Sequence, residues 1–329
     1  MKAVWVTAFG PIAEARYAEV ADPVPGSDDL LIEVKASEAN YPDLLVMEGK
    51  YQIKPPLPFA PGKAAAGIVT AVGANVTGFS IGDRVSAQVE YGAYAQKLVV
   101  PADSCFTLPA DMPFDVAAAL GLVYQTSYFA LVNRASIHPG DTVLVLGASG
   151  GVGSAAVQLA RALGASVVIG GVLGEENAKV ATALGCDRVI DLAGADLRDG
   201  LREAVYSVTD GRGCDIVIDP VGGDANAAAM RALAWCGRMV IIGFASGDIP
   251  TIKANYLLVK NIAVFGLQWS DYRDREPDSV RAAQEDIFSL WQAGKLSPYI
   301  SRRLPLEQFV DALEDLRHSR VQGKVILQP

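Results

Sequence analysis

The chain contains few of the residues that bind metals or form disulfides. Its 329 residues include 4 cysteines and 2 histidines. The cysteines, at positions 105, 186, 214 and 236, are far apart and form no C-x-x-C pair. This pattern argues against a disulfide framework and a zinc knuckle, and it favours a reducing cytoplasm. His138 lies in a proline-glycine turn and His318 at a predicted helix end, so both are expected at the surface.

Long apolar runs and basic clusters are also missing. The longest apolar stretches, such as Ala117 to Leu122, are too short to cross a bilayer. A strand-like segment begins at Lys2. Together these features predict a soluble, unsecreted protein. The 28 basic and 37 acidic residues give a net charge of −9 without any basic run, which argues against nucleic acid or an anionic membrane as a partner. An apolar content of 51% over this length predicts two domains with buried cores.

Short buried strands alternate with helical segments over residues 126–268, which is typical of a doubly wound parallel sheet. A complete Rossmann sheet has six strands and binds its ligand at their carboxyl ends. The last predicted strand is expected at the sheet edge, where a second copy can pair, so we predict a homodimer. The six predicted strands are Thr142 to Leu146, Ser166 to Ile169, Arg188 to Ile190, Asp215 to Ile218, Arg238 to Ile242 and Ile262 to Phe265.

The first 125 residues have a different pattern, with short alternating strands between Gly, Pro and Asp turns, which indicates an antiparallel, barrel-like block. Residues 269–329 are expected to return and complete this block, with helices near Asp278 to Ala293 and Leu306 to Ser319 and a final strand at Lys324 to Leu327. The strands predicted in the first block are Leu30 to Lys35, Ala65 to Val72, Arg84 to Val89 and Ala93 to Val99.

A glycine turn joins the first strand of the parallel block to a helical pattern. The window Ala148-Ser149-Gly150-Gly151-Val152-Gly153 reads A-x-G-x-x-G. Backbone N–H groups and the helix dipole at such a junction bind anions, and the glycines leave room for a pyrophosphate. These six residues are therefore predicted to bind a dinucleotide. The alternative, a strand-to-helix turn that only packs tightly, stays open on the local pattern.

Several motifs resemble those of the medium-chain dehydrogenase/reductase superfamily, and specifically its zinc-independent quinone oxidoreductase branch. They are Asn40-Tyr-Pro-Asp43 with Gly49-Lys-Tyr51, Leu57-Pro-Phe-Ala-Pro-Gly62 leading to Gly82-Asp-Arg-Val85, the glycine turn, and the closing Gly323-Lys-Val-Ile-Leu327. The resemblance implies an α/β fold, with a Rossmann doubly wound parallel sheet over residues 126–268. It also implies a GroES-like antiparallel β-barrel domain over residues 1–125, completed by about residues 269–329.

The residues that replace zinc ligands argue against the zinc-dependent branch. A catalytic zinc needs three nitrogen, sulfur or carboxylate ligands. Gly62-Lys63-Ala64 stands where zinc alcohol dehydrogenases carry Gly-His-Glu, and the Asn40 to Asp43 segment stands where they carry the first cysteine. No metal site is therefore expected. Hydride transfer without a metal needs a conjugated acceptor, such as a small quinone or an enone.

The resemblance implies three catalytic candidates: Tyr51, Asn40 and Asp43. Tyr51 is either a donor of a hydrogen bond or proton to the acceptor oxygen, or a loop tyrosine that packs against Pro55 and Pro56. Asn40 is expected to line the nicotinamide site, although Asn40 and Asp43 also suit the start of a short helix. Lys63 is expected to be solvated and is left outside the site.

The same resemblance places cofactor contacts beyond the glycine turn. Thr126 matches a contact to the nicotinamide ribose, and the Gly243-Phe244-Ala245 loop matches one to the nicotinamide. The end of the second strand, which includes Gly171, carries no carboxylate for a ribose 2′-hydroxyl. Its absence favours NADPH over NADH.

NADH remains possible, because Asn177 and Leu192 occupy the positions of the family's usual phosphate-binding lysine and tyrosine. Lys179 and Arg320 are candidate substitutes for them. The sequence thus predicts an NADPH-dependent quinone oxidoreductase. The alternatives are a reductase of 2-enoyl thioesters or other α,β-unsaturated carbonyl compounds, and a non-catalytic NADP(H)-binding protein with a structural or sensor role.

Overall fold

The computed structural model describes residues 1–194 and 196–329. The strands of this part of the chain are β1 (Lys2–Trp5), β2 (Arg16–Glu19), β3 (Asp29–Ala39), β4 (Ala64–Val72), β5 (Arg84–Gln88), β6 (Lys97–Pro101), β7 (Cys105–Thr107), β8 (Thr142–Leu146), β9 (Val167–Val172), β10 (Arg188–Asp191), β11 (Cys214–Asp219), β12 (Leu233–Ile241), β13 (Ala263–Gly266), β14 (Ile300–Pro305) and β15 (Lys324–Gln328). Its α-helices are α1 (Tyr41–Met47), α2 (Phe114–Ala119), α3 (Leu122–Tyr128), α4 (Gly151–Ala162), α5 (Glu175–Ala183), α6 (Leu197–Ser207), α7 (Gly223–Ala232), α8 (Ala254–Lys260), α9 (Trp269–Arg275), α10 (Pro277–Gln292) and α11 (Phe309–Arg317). No helix in the described ranges is long and apolar enough to span a bilayer.

Two compact units divide the chain. Unit 1 comprises Met1–Leu122, Glu276–Phe288 and Ile300–Pro329, and unit 2 comprises Val123–Arg275 and Ser289–Tyr299. The expected single return segment, residues 269–329, is thus split between the units. The reason is local packing: the Tyr272 ring lies 4.7 Å from that of Phe129, and the Ser297 N–H donates to the Gln158 side-chain oxygen at 2.7 Å, all within unit 2.

Unit 2 is built on a six-stranded parallel sheet with the order β10-β9-β8-β11-β12-β13. The central strand β8 is buried along its whole length, which explains its unbroken apolar sequence. Strand order reverses between β8 and β11, and such a switch point opens a crevice at the carboxyl ends of the strands. The predicted Rossmann sheet is confirmed, and β13 lies at its edge as expected.

Unit 1 is built on a mainly antiparallel sheet with the order β14-β15-β3-β4-β5-β7, in which β6 also pairs with β3. Its one parallel pair in the described part of the chain is β14 with β15. Alternate residues of β3 enter the core, including the fully buried Leu30 and Ile32. Each such side chain contributes roughly 1.5–3 kcal/mol through apolar burial.

Two sequence predictions for unit 1 need correction. Strand β6 begins at Lys97 and not at Ala93, because the N–H groups of Ala93 and Tyr94 donate to the carbonyls of Gly62 and Pro61 at 3.1 and 2.8 Å. The helix expected from Leu306 begins as a 3-10 turn and becomes α11 only at Phe309. Strand β14 was not predicted, because three of its six residues are exposed and polar and it shows no apolar alternation.

Candidate functional site

The glycine turn has the geometry of a dinucleotide cradle. Gly150 caps α4 in an extended conformation, and Gly147 has a φ of +63°. A Cβ on Gly153 would lie 2.0 Å from the Gly147 carbonyl oxygen, so only glycine lets α4 approach β8 this closely. The first-turn N–H groups of α4 have no acceptor within the helix, and they bear the positive end of the helix dipole.

Two further turns lie at the same edge of the unit 2 sheet, because β8, β11 and β12 are neighbours in it. The turn after β11 is held by Asp219, a fully buried carboxylate that accepts hydrogen bonds from the N–H of Gly222 at 2.9 Å and from Asn226 Nδ2 at 2.6 Å. The turn after β12 packs on it: the Ala245 N–H donates to the Pro220 carbonyl at 3.1 Å. The Phe244 ring is left 40% exposed beside this edge.

The end of β9 brings Ser149 and Asn177 together. Ser149 Oγ donates to Asn177 Oδ1 at 3.0 Å, and Asn177 Nδ2 donates to the Leu173 carbonyl at 2.8 Å. Nothing lies within 4 Å of a Cβ built on Gly174, so this loop has open space beside it. Gly171 is inside β9, where a Cβ would meet Leu192 at 3.0 Å, so Gly171 serves close packing within the sheet.

Two candidate phosphate ligands already have partners. Lys179 Nζ is 2.7 Å from Glu176 and 3.3 Å from Glu175, which are exposed in the first turn of α5. Arg320 belongs to unit 1, with its Nε 3.4 Å from an Asp315 oxygen. Lys179 and Asn177 both belong to unit 2, and Arg320 belongs to unit 1, so the roles of Lys179 and Arg320 as phosphate ligands stay predictions.

Helix α3 contacts the glycine turn through a residue that sequence reasoning missed. Ser127 Oγ donates to the Val152 carbonyl at 3.0 Å. The neighbouring candidate Thr126 is 8% exposed on the same helix. The Ser127 hydrogen bond thus joins α3, the helix that carries the predicted ribose contact Thr126, to the predicted pyrophosphate turn within unit 2.

Unit 1 contains a buried polar cluster formed by Glu38, Asn40, Asp43, Tyr94 and Lys324. Asn40 precedes α1, and the Asp43 carboxylate accepts the Asn40 backbone N–H at 2.9 Å, as the capping interpretation requires. The Tyr94 hydroxyl donates to the same carboxylate at 2.8 Å, and Lys324 Nζ donates to Asn40 Oδ1 at 2.6 Å and lies 2.8 Å from Glu38. Asn40 Nδ2 is buried and has no hydrogen-bond partner among the described residues, so it can donate to a ligand.

Burial changes the acidity of this cluster. Desolvation raises the pKa of Asp43 from 3.8 to about 6, against the opposing effects of the Tyr94 hydrogen bond and the charge of Lys63. Desolvation and the neighbouring Asp43 carboxylate raise the pKa of Tyr94 well above its usual value, so its phenol stays protonated as a donor. Asp43 is thus close to half-protonated at weakly acidic pH.

Lys63 is not the solvated residue that the sequence suggested. Its side chain is 4% exposed, pairs with Glu90, and places its Nζ 4.5 Å from the centroid of the Tyr51 ring. The expectation was wrong because Glu90, in the turn after β5, and the Tyr51 ring both contact the lysine, and neither is its neighbour in the sequence. Tyr51 itself is half-buried in an irregular loop and packs against the apolar core of unit 1.

Apart from the turns, the residues missed by sequence reasoning are Ser127, Glu38, Tyr94, Glu90 and Lys324. Among the described residues, no three His, Cys, Asp or Glu side chains come together as a metal-binding group. His138 and His318 are exposed, as predicted. The two units therefore carry different features: a backbone cradle in unit 2, and a buried polar cluster with a tyrosine and a lysine in unit 1.

A parallel dinucleotide-type sheet combined with a mainly antiparallel unit of this kind defines a medium-chain dehydrogenase/reductase. The family model for the alcohol dehydrogenase GroES-like domain matches residues 26–110, and that for zinc-binding dehydrogenases matches residues 151–285. The predicted pairing of a Rossmann sheet with a GroES-like domain is thereby confirmed.

Similar proteins identify the family within this superfamily. The quinone oxidoreductase-like protein 2 homolog of Nematostella vectensis is 35% identical over 92% of this chain and 82% of its own length. A mycobacterial protein solved in complex with NADPH has a TM-score of 0.92 at 30% identity, and the Escherichia coli quinone oxidoreductase solved with NADPH has a TM-score of 0.90 at 29%, both over 100% of each chain. The chain belongs to the quinone oxidoreductase family of the medium-chain dehydrogenases/reductases, so the predicted family and oxidoreductase class are confirmed.

Proposed function

We propose that the protein is an NADPH-dependent quinone oxidoreductase that transfers hydride to a small quinone without a metal. The observation that carries this proposal is the glycine cradle at the switch point of the unit 2 sheet, in a chain of the quinone oxidoreductase family. The NADPH in two similar solved structures supports the choice of NADP(H) as cofactor.

The residues present fit a dinucleotide phosphate. Gly150 to Gly153 offer helix N-terminal N–H groups to the pyrophosphate, and Thr126 and the Gly243 to Ala245 turn belong to the same unit. Ser149, Asn177 and Lys179 supply polar and cationic groups beside the open space at Gly174 for the ribose 2′-phosphate. When bound, the cofactor supplies the hydride.

Metal-free chemistry is supported by the side chains available. A catalytic zinc needs three protein ligands, and the described residues form no such group of His, Cys, Asp or Glu. Polarisation of the acceptor oxygen then has to come from hydrogen-bond donors. Reduction of a quinone to its hydroquinone needs one proton in addition to the hydride. We propose that the Tyr51 hydroxyl and Asn40 Nδ2 each donate a hydrogen bond to the acceptor oxygen. Asp43 holds Asn40 in place by accepting its backbone N–H.

Steady-state assays with NADPH test the proposal. Purified protein should oxidise NADPH with 1,4-benzoquinone. Tyr51→Phe should lower enone reduction by about a hundredfold, because an enolate needs a proton from the enzyme, and quinone reduction by less than about tenfold. Tyr17→Phe is a matched control, because Tyr17 is another half-buried tyrosine of unit 1 with a lysine over its ring.

Other results would change the assignment. Efficient turnover of 2-enoyl thioesters with little quinone activity would favour the enone reductase. NADPH binding without oxidation across a panel of quinones and enones would favour the non-catalytic alternative. Zinc held in stoichiometric amount by purified protein would contradict the metal-free mechanism.

We also propose that the protein is cytoplasmic, in keeping with its four free cysteines. We further propose that it forms a homodimer at the β13 edge of unit 2. Trp235, Leu258 and Val259 are each more than three-quarters exposed. Trp235 belongs to β12, the strand that pairs with β13. Leu258 and Val259 belong to α8, whose Lys260 donates to the Leu233 carbonyl of β12 at 3.3 Å. Light scattering should give twice the mass of one chain, and Trp235→Arg with Leu258→Arg should give monomers; a monomeric wild type would reject the dimer.

A further inference from the structure

The proposed function leaves a buried cation unexplained. Lys63 and Glu90 have side chains only 4% and 14% exposed, and they form an ion pair inside unit 1. Taking two charges out of water costs several kcal/mol per ion, so such a pair gives little or no net stability compared with apolar side chains of the same volume. The Lys63–Glu90 ion pair therefore calls for a role other than stability.

The chain builds this ion pair through a close backbone contact. The Val89 N–H donates to the Lys63 carbonyl at 2.8 Å, and the Ala93 N–H donates to the Gly62 carbonyl at 3.1 Å. Gly62 has a φ of +97°, and a Cβ there would lie 2.4 Å from the Tyr94 ring. These constraints hold Glu90, in the turn after β5, against the start of β4, so the lysine has little freedom to move.

The other side of Lys63 faces Tyr51. Its Nζ lies 4.5 Å from the centroid of the Tyr51 ring, within the range of a cation–π interaction. Tyr51 belongs to the loop between α1 and β4, in which residues 52–54 are exposed and no regular structure is present. The Tyr51 N–H donates to the Leu45 carbonyl at 3.1 Å, which fixes the backbone where the loop begins. The side chain extends beyond this bond, and its ring is held by contacts with Lys63 and the apolar core.

We propose that Lys63 is a positioning residue for Tyr51, that Glu90 orients its ammonium, and that the three side chains set the affinity for the acceptor. The inference rests on the proposed function, because it assigns Tyr51 to the acceptor oxygen. Lys63 acts through the tyrosine and makes no contact with the acceptor itself.

Kinetics with a charge-neutral pair test this role. Lys63→Met together with Glu90→Gln removes both charges of the ion pair, so neither partner is left as an unpaired buried charge. Circular dichroism and the urea midpoint at pH 8, where Asp43 is ionised in both proteins, check that the variant is folded. The KM for 1,4-benzoquinone should rise about tenfold, which corresponds to the loss of a desolvated cation–π contact. The kcat should change less than about twofold, and the Kd for NADPH should stay the same. Lys63→Arg, in a chain that keeps Glu90, should have a KM within about threefold of the wild-type value, because a guanidinium also stacks on an aromatic ring.

Two further variants separate positioning from a general effect on folding. Lys2→Met is the matched control, since Lys2 lies 5.7 Å from the Tyr17 ring at the surface, and it should leave KM unchanged. In a Tyr51→Leu background, neutralising Lys63 and Glu90 should have no additional effect on KM. An equal effect in both backgrounds would overturn the proposal, as would an unchanged KM in the neutralised variant.

A readout independent of catalysis is tryptic cleavage after Lys50, the exposed residue directly before Tyr51. If Lys63 anchors the ring, the neutralised variant should release the fragment 1–50 about tenfold faster than the wild type, as followed by mass spectrometry. An unchanged rate would overturn the positioning role. If the wild type oxidises no NADPH with quinones while the cleavage rate rises, the proposed function fails and the anchoring of Tyr51 by Lys63 stands.

Discussion

The candidate functional features of the two units are made of different groups. In unit 2 the cradle is made mainly of backbone, with glycines at 147, 150 and 153 and turns that neighbouring strands bring to one sheet edge. In unit 1 the cluster is made of side chains, and its ionisable members come from positions as far apart as 38 and 324. Backbone sites tolerate little change in shape, whereas side-chain clusters respond to charge and pH.

The largest expected effect tests the shape of the cradle. Gly153→Val should weaken NADPH binding at least about a hundredfold, because its Cβ would lie 2.0 Å from a backbone oxygen and α4 would have to move. Fluorescence titration with NADPH measures the loss. Gly200→Ala, a helical glycine with nothing within 4 Å of the added carbon, is the matched control and should bind normally. Normal binding by Gly153→Val would contradict the cradle.

A second effect tests the charge response of unit 1. The pKa of Asp43 rises from 3.8 unfolded to about 6 folded, so between these values the folded protein keeps a proton that the unfolded chain has lost. The resulting stabilisation is present below pH 4 and is lost as the pH rises through about 6. At about 1.4 kcal/mol per pKa unit, the stability advantage of the wild type over Asp43→Asn should fall by about 3 kcal/mol between pH 4 and pH 7.

Urea unfolding at several pH values measures this difference. Asp28→Asn is the control, because hydrogen bonds from Asn75 and Ser27 lower the pKa of this exposed carboxyl, and its contribution has the opposite sign. A constant difference between the wild type and Asp43→Asn across this pH range would show that the Asp43 carboxyl titrates normally.

The smallest expected effect is in unit 2 and concerns Lys179, which is proposed to bind the 2′-phosphate beside the backbone cradle. Glu175→Gln with Glu176→Gln removes the two carboxylates that pair with Lys179. The freed ammonium should lower the Kd for NADPH about three- to tenfold and leave that for NADH unchanged, since only NADPH carries the 2′-phosphate. Calorimetry with both coenzymes measures it, and an equal gain for NADH would assign the effect to net charge alone.

Sequence patterns predicted much of unit 2. The apolar run of β8, the glycine turn and the helical spacing of α4 are contiguous, so local chemistry reports them directly. Strand β14 and the true start of β6 were missed, because their backbone hydrogen bonds depend on segments distant in the chain. Tyr51, Asn40 and Asp43 were found through the family resemblance, and their catalytic roles stay predictions.

The sequence by itself determined the parallel sheet and the glycine turn, because these depend on short segments whose periodicity and turn residues act locally. It indicated the family through the resemblance of its motifs. Only the tertiary structure decided the environment of Lys63, the pairing of Lys324 with Glu38 and the raised pKa of Asp43. The physical reason is desolvation: whether a charged side chain is buried, and which group it meets there, depends on strands that the linear chain keeps far apart.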